Sequence, residues 1–240
     1  MRYLVFFILL AFSLNAKIIE IKNIKDIKPY ITKDTLVIFD LDNTIMEPIQ
    51  EYGSDQWFAY QLNKYLKEKL SFEDALQKTL YEWFEIQAIT KVKLVENDVK
   101  DLISNLQEIN HPIMGLTARD YDFALAAIKQ LKSLNLNLSK TAPFKKNIFD
   151  DTLFREGILF ANGKNKGIVL SNFFKKIIYI DDKKHHVEEI EIFSKENKVE
   201  FIGFRYGYLD EKVKKFDHKI SDKQKRDFSN FICNDKLILE

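Results

Sequence analysis

Two aspartates, Asp40 and Asp42, stand two residues apart directly after the apolar run TLVIF at residues 35–39. Carboxylates that close repel, and a hard divalent cation such as Mg2+ relieves the repulsion. A carboxylate is also a competent covalent nucleophile toward a phosphoryl group, provided charge on the transferring oxygens is neutralised. A second carboxyl group nearby can protonate a departing alcohol and later take a proton from water. The stretch Asp40-Leu41-Asp42-Asn43-Thr44 therefore admits metal-assisted phosphoryl chemistry. It equally suits a turn closing a strand, where Asp and Asn are common.

The chemistry needs elements that carry both carboxylates to one place. Residues 35–39, 112–116 (PIMGL), 177–180 (IIYI) and 199–204 (VEFIGF) are continuous apolar runs, as in strands of a parallel sheet covered on both faces. Residues 121–134 and 186–193 carry apolar positions at helical spacing. Alternating strands and helices predict an α/β fold with a doubly wound, mainly parallel sheet. In such sheets ligands bind beyond the carboxyl ends of the strands, where Asp40 would sit. Residues 54–108 break the rhythm, being helical in pattern almost throughout, with Ser71 and Asp74 spaced as a capping arrangement. Residues 147–167 read as a β-hairpin or extended excursion around Gly157 and Gly163.

With these elements in place, the chain resembles the haloacid dehalogenase-like hydrolase superfamily, mainly its phosphatases. Asp40-Leu41-Asp42-Asn43-Thr44 is similar to that superfamily's first motif, DxDxT after a strand. The sequence Ile113–Arg119 (IMGLTAR) matches the second, with Thr117 in the place of its Thr or Ser. Lys166 fits the third, a Lys at a helix start, and Lys164 is a nearby rival. Asp181-Asp182 fits the acidic fourth. The resemblance covers roughly residues 35–204. It implies a Rossmann-like core over 17–48 and 109–240, with a helical cap inserted at 49–108.

The resemblance further implies Asp40 as nucleophile, Asp42 as acid and base, and Thr117 and Lys166 as partners of the phosphoryl oxygens. Thr117 could instead cap a helix beginning near Asp120. Asn43, Thr44, Ala118 and Arg119 would contact the substrate. Mg2+ would sit on Asp40, Asp181 and the backbone carbonyl of Asp42, with Asp182 either binding it or orienting Lys166. Some relatives carry a further Asp where this chain has His185 and His186. Metal ligation by that pair is disfavoured, since adjacent residues of a helix point apart and no Cys/His set accompanies them. Residues 53–58, GSDQWF, look like a signature of a largely bacterial, exported branch of the superfamily. A capping turn, Ser54 or Asp55 leading into a helix anchored by Trp57, also explains them.

Composition narrows the rest. The chain has 240 residues and a formal net charge of +1, so no broad field draws it to nucleic acid or an anionic membrane. No Gly-rich GxxxxGK[ST] loop is present. The start, MRYLVFFILLAFSLNAK, reads as a secretory signal peptide over 1–16 cleaved after Ala16, and is too short in its apolar run to span a bilayer. A periplasmic or secreted protein follows from it. Cys233 is the single cysteine, so no internal disulfide forms, and it reads as a small buried side chain. The partner implied is a small phosphorylated substrate; the oligomeric state is not legible. A phosphosugar mutase and a non-catalytic binding or adaptor protein on the same fold are the alternatives.

Overall fold

The structure, a computed structural model, describes residues 17–146, 152–170 and 174–236, with side chains as far as 229. The expected signal peptide, the start of the 147–167 excursion and the Cys233 side chain lie outside the described residues.

The strands are β1 (Lys17–Ile21), β2 (Leu36–Phe39), β3 (Met46–Pro48), β4 (Val92–Leu94), β5 (Ile113–Thr117), β6 (Leu153–Arg155), β7 (Ile158–Phe160), β8 (Lys176–Asp181) and β9 (Glu200–Tyr206). The helices are α1 (Asp55–Lys67), α2 (Phe72–Gln87), α3 (Asn97–Glu108), α4 (Ala124–Ser133), α5 (Lys184–Glu196), α6 (Asp210–Lys214) and α7 (His218–Lys236). Seven strands form one sheet in the order β1-β9-β8-β2-β5-β7-β6. Every pairing is parallel except β6 with β7, the antiparallel hairpin expected near Gly157. All four residues of β2 are buried, which is why that segment reads as an unbroken apolar run.

Helices cover both faces. On one, Ala127, Ile128 and Leu131 of α4 and Val99, Leu102 and Ile103 of α3 pack with Val37, Phe39 and Ile113. On the other, Val187, Ile190 and Phe193 of α5 pack with Ile38, Met114 and Tyr179. The protein is thus a doubly wound, Rossmann-like α/β fold, as its strand and helix pattern predicts.

The insertion enters and leaves the sheet through a two-stranded antiparallel ribbon, β3 with β4. Helices α1 and α2 lie between these strands and form a separate cluster of Tyr52, Trp57, Trp83 and Ile86, joined by Phe123. Ser54 and Ser71 cap them, each side chain accepting the backbone N–H three residues on. Gly53 turns the chain at φ +82°, and an added Cβ would stand 2.8 Å from Ile86. Its carbonyl accepts from Trp83 Nε1 (2.8 Å) and Gln87 Nε2 (2.7 Å), tying α2 to the start of α1. Helix α3 falls inside the 49–108 span grouped with the insertion, yet its apolar stripe packs on the sheet. The helical period identifies a buried face without saying what buries it.

Candidate active site

Strands β8, β2 and β5 are adjacent and parallel, so Asp181, Asp40 and Thr117 emerge side by side at their carboxyl ends. Asp40 prolongs the ladder by one bond, its N–H donating to the Ile180 carbonyl at 2.9 Å. The chain then turns tightly. The Leu41 carbonyl accepts from Ile45 and Met46, both at 3.0 Å, and Asn43 takes φ +60°, a conformation Asn tolerates. Thr44 Oγ1 accepts from the Asp182 N–H at 3.2 Å, which locks this turn to the loop after β8.

Lys166 reaches the same point from the turn that follows β7. Its Nζ donates to Asp40 Oδ1 at 2.6 Å, to Asp181 Oδ2 at 2.7 Å and to the Tyr179 hydroxyl at 2.9 Å. Tyr179 donates in turn to Asp181 Oδ2, and His186 Nδ1 lies 3.1 Å from that oxygen. Asp181 Oδ1 accepts the Lys183 N–H at 2.7 Å. Lys166 and Asp181 are fully buried. The Lys166 backbone N–H donates to Glu189 Oε2 at 2.8 Å, which fixes the turn. Lys166 lies in that turn rather than at a helix start among the described residues.

Burial and the adjacent Asp181 charge push Asp40 up to about 7, against the pull of Lys166. Burial opposes charge on Asp181 too, but Lys166 and His186 outweigh it and hold that carboxyl well below its usual range. Burial, then Asp181, pushes Asp182 far up. Burial lowers His186 and keeps the Tyr179 hydroxyl protonated.

Asp40, Asp181 and Asp182 each offer one carboxylate oxygen, and the three lie within 4.8 Å of one another. One ammonium, Lys166, stands against these three carboxylates. Asp42 is neutralised separately by Arg119, and Lys183 by Asp55. Ionising all three carboxylates would leave more negative charge than Lys166 offsets, which adds to burial in pushing Asp40 and Asp182 up, and the all-oxygen donor set fits a hard divalent cation that would relieve it. The Asp42 carboxylate is outside the trio, because Arg119 holds both its oxygens, at 2.8 Å from Nε and 2.6 Å from Nη2.

A cavity of about 480 Å3 opens over this cluster. Asp40, Asp42, Thr117, Ala118, Arg119 and Asp182 line it. Asn43 and Thr44 do not; they brace the loops beneath, since Asn43 Nδ2 donates to Asp182 Oδ2 at 3.4 Å. Thr117 Oγ1 accepts the Arg119 N–H at 3.2 Å, and Asp120, not Thr117, caps the 3-10 turn that leads into α4. Arg119, expected to meet the substrate, is buried and spent on protein partners. It also donates to Gln130 Oε1 at 2.9 Å, and it lies 5.1 Å from the Trp83 ring. Lys164 and His185 stay at the surface, whereas His186 lines the cavity.

Sequence reading missed Tyr179, Lys183, Asp55 and the Arg119 clamp. Tyr179 sits in the apolar run IIYI, where an aromatic passes for a packing residue. The Arg119–Asp42 and Lys183–Asp55 contacts join residues 77 and 128 positions apart, beyond any local pattern.

Comparison with known proteins adds kinship to this geometry. Residues 20–237 match the family described as "Protein of unknown function (DUF2608)". The chain belongs to that family. It is 24% identical over 233 residues to a Chlamydia pneumoniae protein, covering 88% of this chain and 85% of the relative. It is 25% identical over 199 residues to one from Chlamydia trachomatis, covering 79% and 76%. Both relatives bear the name "Putative outer membrane protein". Among solved structures, a "putative beta-phosphoglucomutase" from Thermotoga maritima aligns at 12% identity and a TM-score of 0.38, over 73% of this chain and 97% of that one. A likeness that distant adds nothing to the geometry.

Proposed function

We propose that this member of the DUF2608 family is a Mg2+-dependent phosphomonoesterase of the haloacid dehalogenase-like type. The observation that supports the reading is the convergence of Asp40, Thr117, Lys166, Asp181 and Asp182 at the ends of three adjacent strands, beneath a cavity. Asp40, Asp181 and Asp182 would hold the cation, which supplies charge neutralisation at the transferring oxygens when bound.

Asp40 then attacks phosphorus. A bond forms from its carboxylate oxygen and the bond from phosphorus to the ester oxygen breaks, leaving an aspartyl-phosphate. Thr117 lines the cavity and would bond a phosphoryl oxygen, and Lys166, buried beneath the lining and bonded to Asp40, would join it by turning one donor from the carboxylates to the phosphate. Asp42 lines the cavity; to act as the acid it must first take up a proton on a lone pair that Arg119 leaves open, and it then gives that proton to the departing alkoxide. In the second half, water attacks the phosphorus, Asp42 takes its proton, and inorganic phosphate leaves Asp40. Each Asp42 oxygen keeps a second lone pair beyond its bond to Arg119, so the clamp orients the carboxylate without consuming it. Phe58, Leu76, Leu80 and Trp83 also line the cavity, and a substrate covering them would keep bulk water from the reacting atoms.

The test is hydrolysis of a chromogenic aryl phosphate by purified protein, with and without Mg2+, beside Asp40→Asn. Wild type should turn over only with the metal, and Asp40→Asn should lose at least ~1,000-fold. Equal turnover by the variant would remove Asp40 from the role of nucleophile. The names of the Chlamydia relatives, with the export signal read at residues 1–16, support work outside the cytoplasm. Among the described residues no helix is long and apolar enough to cross a membrane. Recovery of the full-length protein only from the cytosolic fraction would count against export.

A further inference from the structure

We propose that the leaving group of the substrate is an uncharged alcohol with an apolar, ring-sized body, held under α1 and α2; this rests on the phosphomonoesterase reading. The cavity, at about 480 Å3, falls in the range of small-ligand sites and exceeds what a phosphoryl group alone occupies. Its two halves differ in kind. The floor holds Asp40, Asp42, Thr117 and Asp182, whereas the roof is Phe58, Leu76, Leu80 and Trp83, with Phe123 beside them. Leu76, Leu80 and Trp83 follow one another at helical spacing, so a single face of α2 is turned to the cavity. Phe58, Leu76 and Leu80 are only half-buried, leaving apolar surface for a ligand to cover.

The polar groups of the roof are already partnered. Trp83 Nε1 donates to the Gly53 carbonyl, and Gln87 pairs with Gly53 and Gln130. A polyol would lose its hydrogen bonds to water there and find few replacements. A second anionic group fares worse. The lysine and arginine that line the cavity, Lys183 and Arg119, are bound to Asp55 at 2.9 Å and to Asp42 at 2.6 Å. The carboxylates of Asp55 and Asp120 line the cavity as well and would repel a further negative charge. What the roof can reward is burial of an uncharged apolar surface, a flat ring above all.

The experiment compares benzyl phosphate, ethyl phosphate and glycerol 3-phosphate, all esters of primary alcohols, in wild type and in the double variant Leu76→Asn/Leu80→Asn. Benzyl phosphate should exceed ethyl phosphate in kcat/KM by about tenfold or more, with glycerol 3-phosphate no better than ethyl phosphate. The variant should reduce that preference to about threefold or less, because the two leucines supply the apolar face the ring would cover. Equal kcat/KM for the three esters, a preference for glycerol 3-phosphate, or a benzyl preference untouched by the variant overturns the proposal. Calorimetric binding of benzylphosphonate against ethylphosphonate separates this from the catalytic reading. A benzyl preference in binding, lost in the variant, upholds the apolar subsite even if no ester is turned over. Absence of such a preference overturns it whether or not esters are hydrolysed.

Discussion

The floor and the roof of the cavity are built by opposite means. The floor is charge held by backbone: Lys166, Asp40, Asp181 and Tyr179 bond one another at the ends of strands whose register is fixed by the sheet. The roof is apolar surface on two helices reached through a three-residue ribbon, β3 with β4. A buried charge cluster tolerates little displacement, since each unmade bond leaves a desolvated group. An apolar surface tolerates substitution of shape and size. The division suits a protein in which the reacting groups stay fixed and the choice of substrate lies in replaceable side chains.

The largest way to break this contrast is Lys166→Met. Methionine fills similar space but leaves Asp40 and Asp181 buried without their cation. Removing one partner of such a pair costs about 3–5 kcal/mol, a fall in Tm on the order of 10 °C for a chain of this size. Added Mg2+ should restore part of the loss, because a divalent ion can stand in for the missing charge. Differential scanning calorimetry with and without Mg2+ gives both numbers. An unchanged Tm would mean that the floor is not the charge-locked unit its geometry shows.

The roof should respond locally. Trp83→Phe removes the donor to Gly53 and part of a ring that packs against Phe58 and Phe123 at 5.5 and 4.6 Å. The expected cost is about 1–2 kcal/mol, smaller than that at Lys166. Hydrogen exchange should quicken in α1 and α2 while β2, β5 and β8 keep their protection. Exchange rising equally in the sheet would show that roof and floor open as one unit.

How far the sequence revealed these two regions follows from the same contrast. The apolar runs marked the strand ends at Asp40, Thr117 and Asp181, but their suggested roles, and Lys166 altogether, came from the resemblance to family motifs and their order along the chain. Tyr179 was hidden in such a run, where its ring packs and its hydroxyl alone reaches the cluster. Strands β3 and β4, three residues each, are too short to show alternation. Strand β1 escaped notice as well; Lys17 and Glu20 interrupt its apolar residues at an edge of the sheet. Helix α3 was grouped with the roof because its period matches that of α1 and α2, and only packing on the sheet separates them. Arg119 was placed among the substrate contacts by its neighbours in sequence; it does line the cavity, but its bond to Asp42, 77 residues away, left no mark in the local pattern.

The smallest effect lies where roof meets floor. Asp55, at the start of α1, pairs with Lys183 of the loop after β8 at 2.9 Å, and both side chains keep about a third of their exposure (28% and 35%). Burial disfavours the Lys183 charge, but Asp55 and Asp182 more than offset it and hold its pKa up. Partly exposed pairs are worth at most about 1 kcal/mol, so Asp55→Asn should lower Tm by no more than ~4 °C, by an amount that shrinks as salt rises. The functional consequence should be easier to see. With Asp55 neutral, Lys183 becomes an uncommitted cation at the cavity wall, and the roof no longer refuses a second negative charge. Phosphoglycolate, compared with ethyl phosphate, should then gain about twofold to fivefold in kcat/KM relative to wild type. A gain of that size with an unaltered benzyl preference would separate charge exclusion from apolar selection. No gain would mean that Lys183 remains tied to Asp182, and that the floor alone sets the charge the cavity accepts.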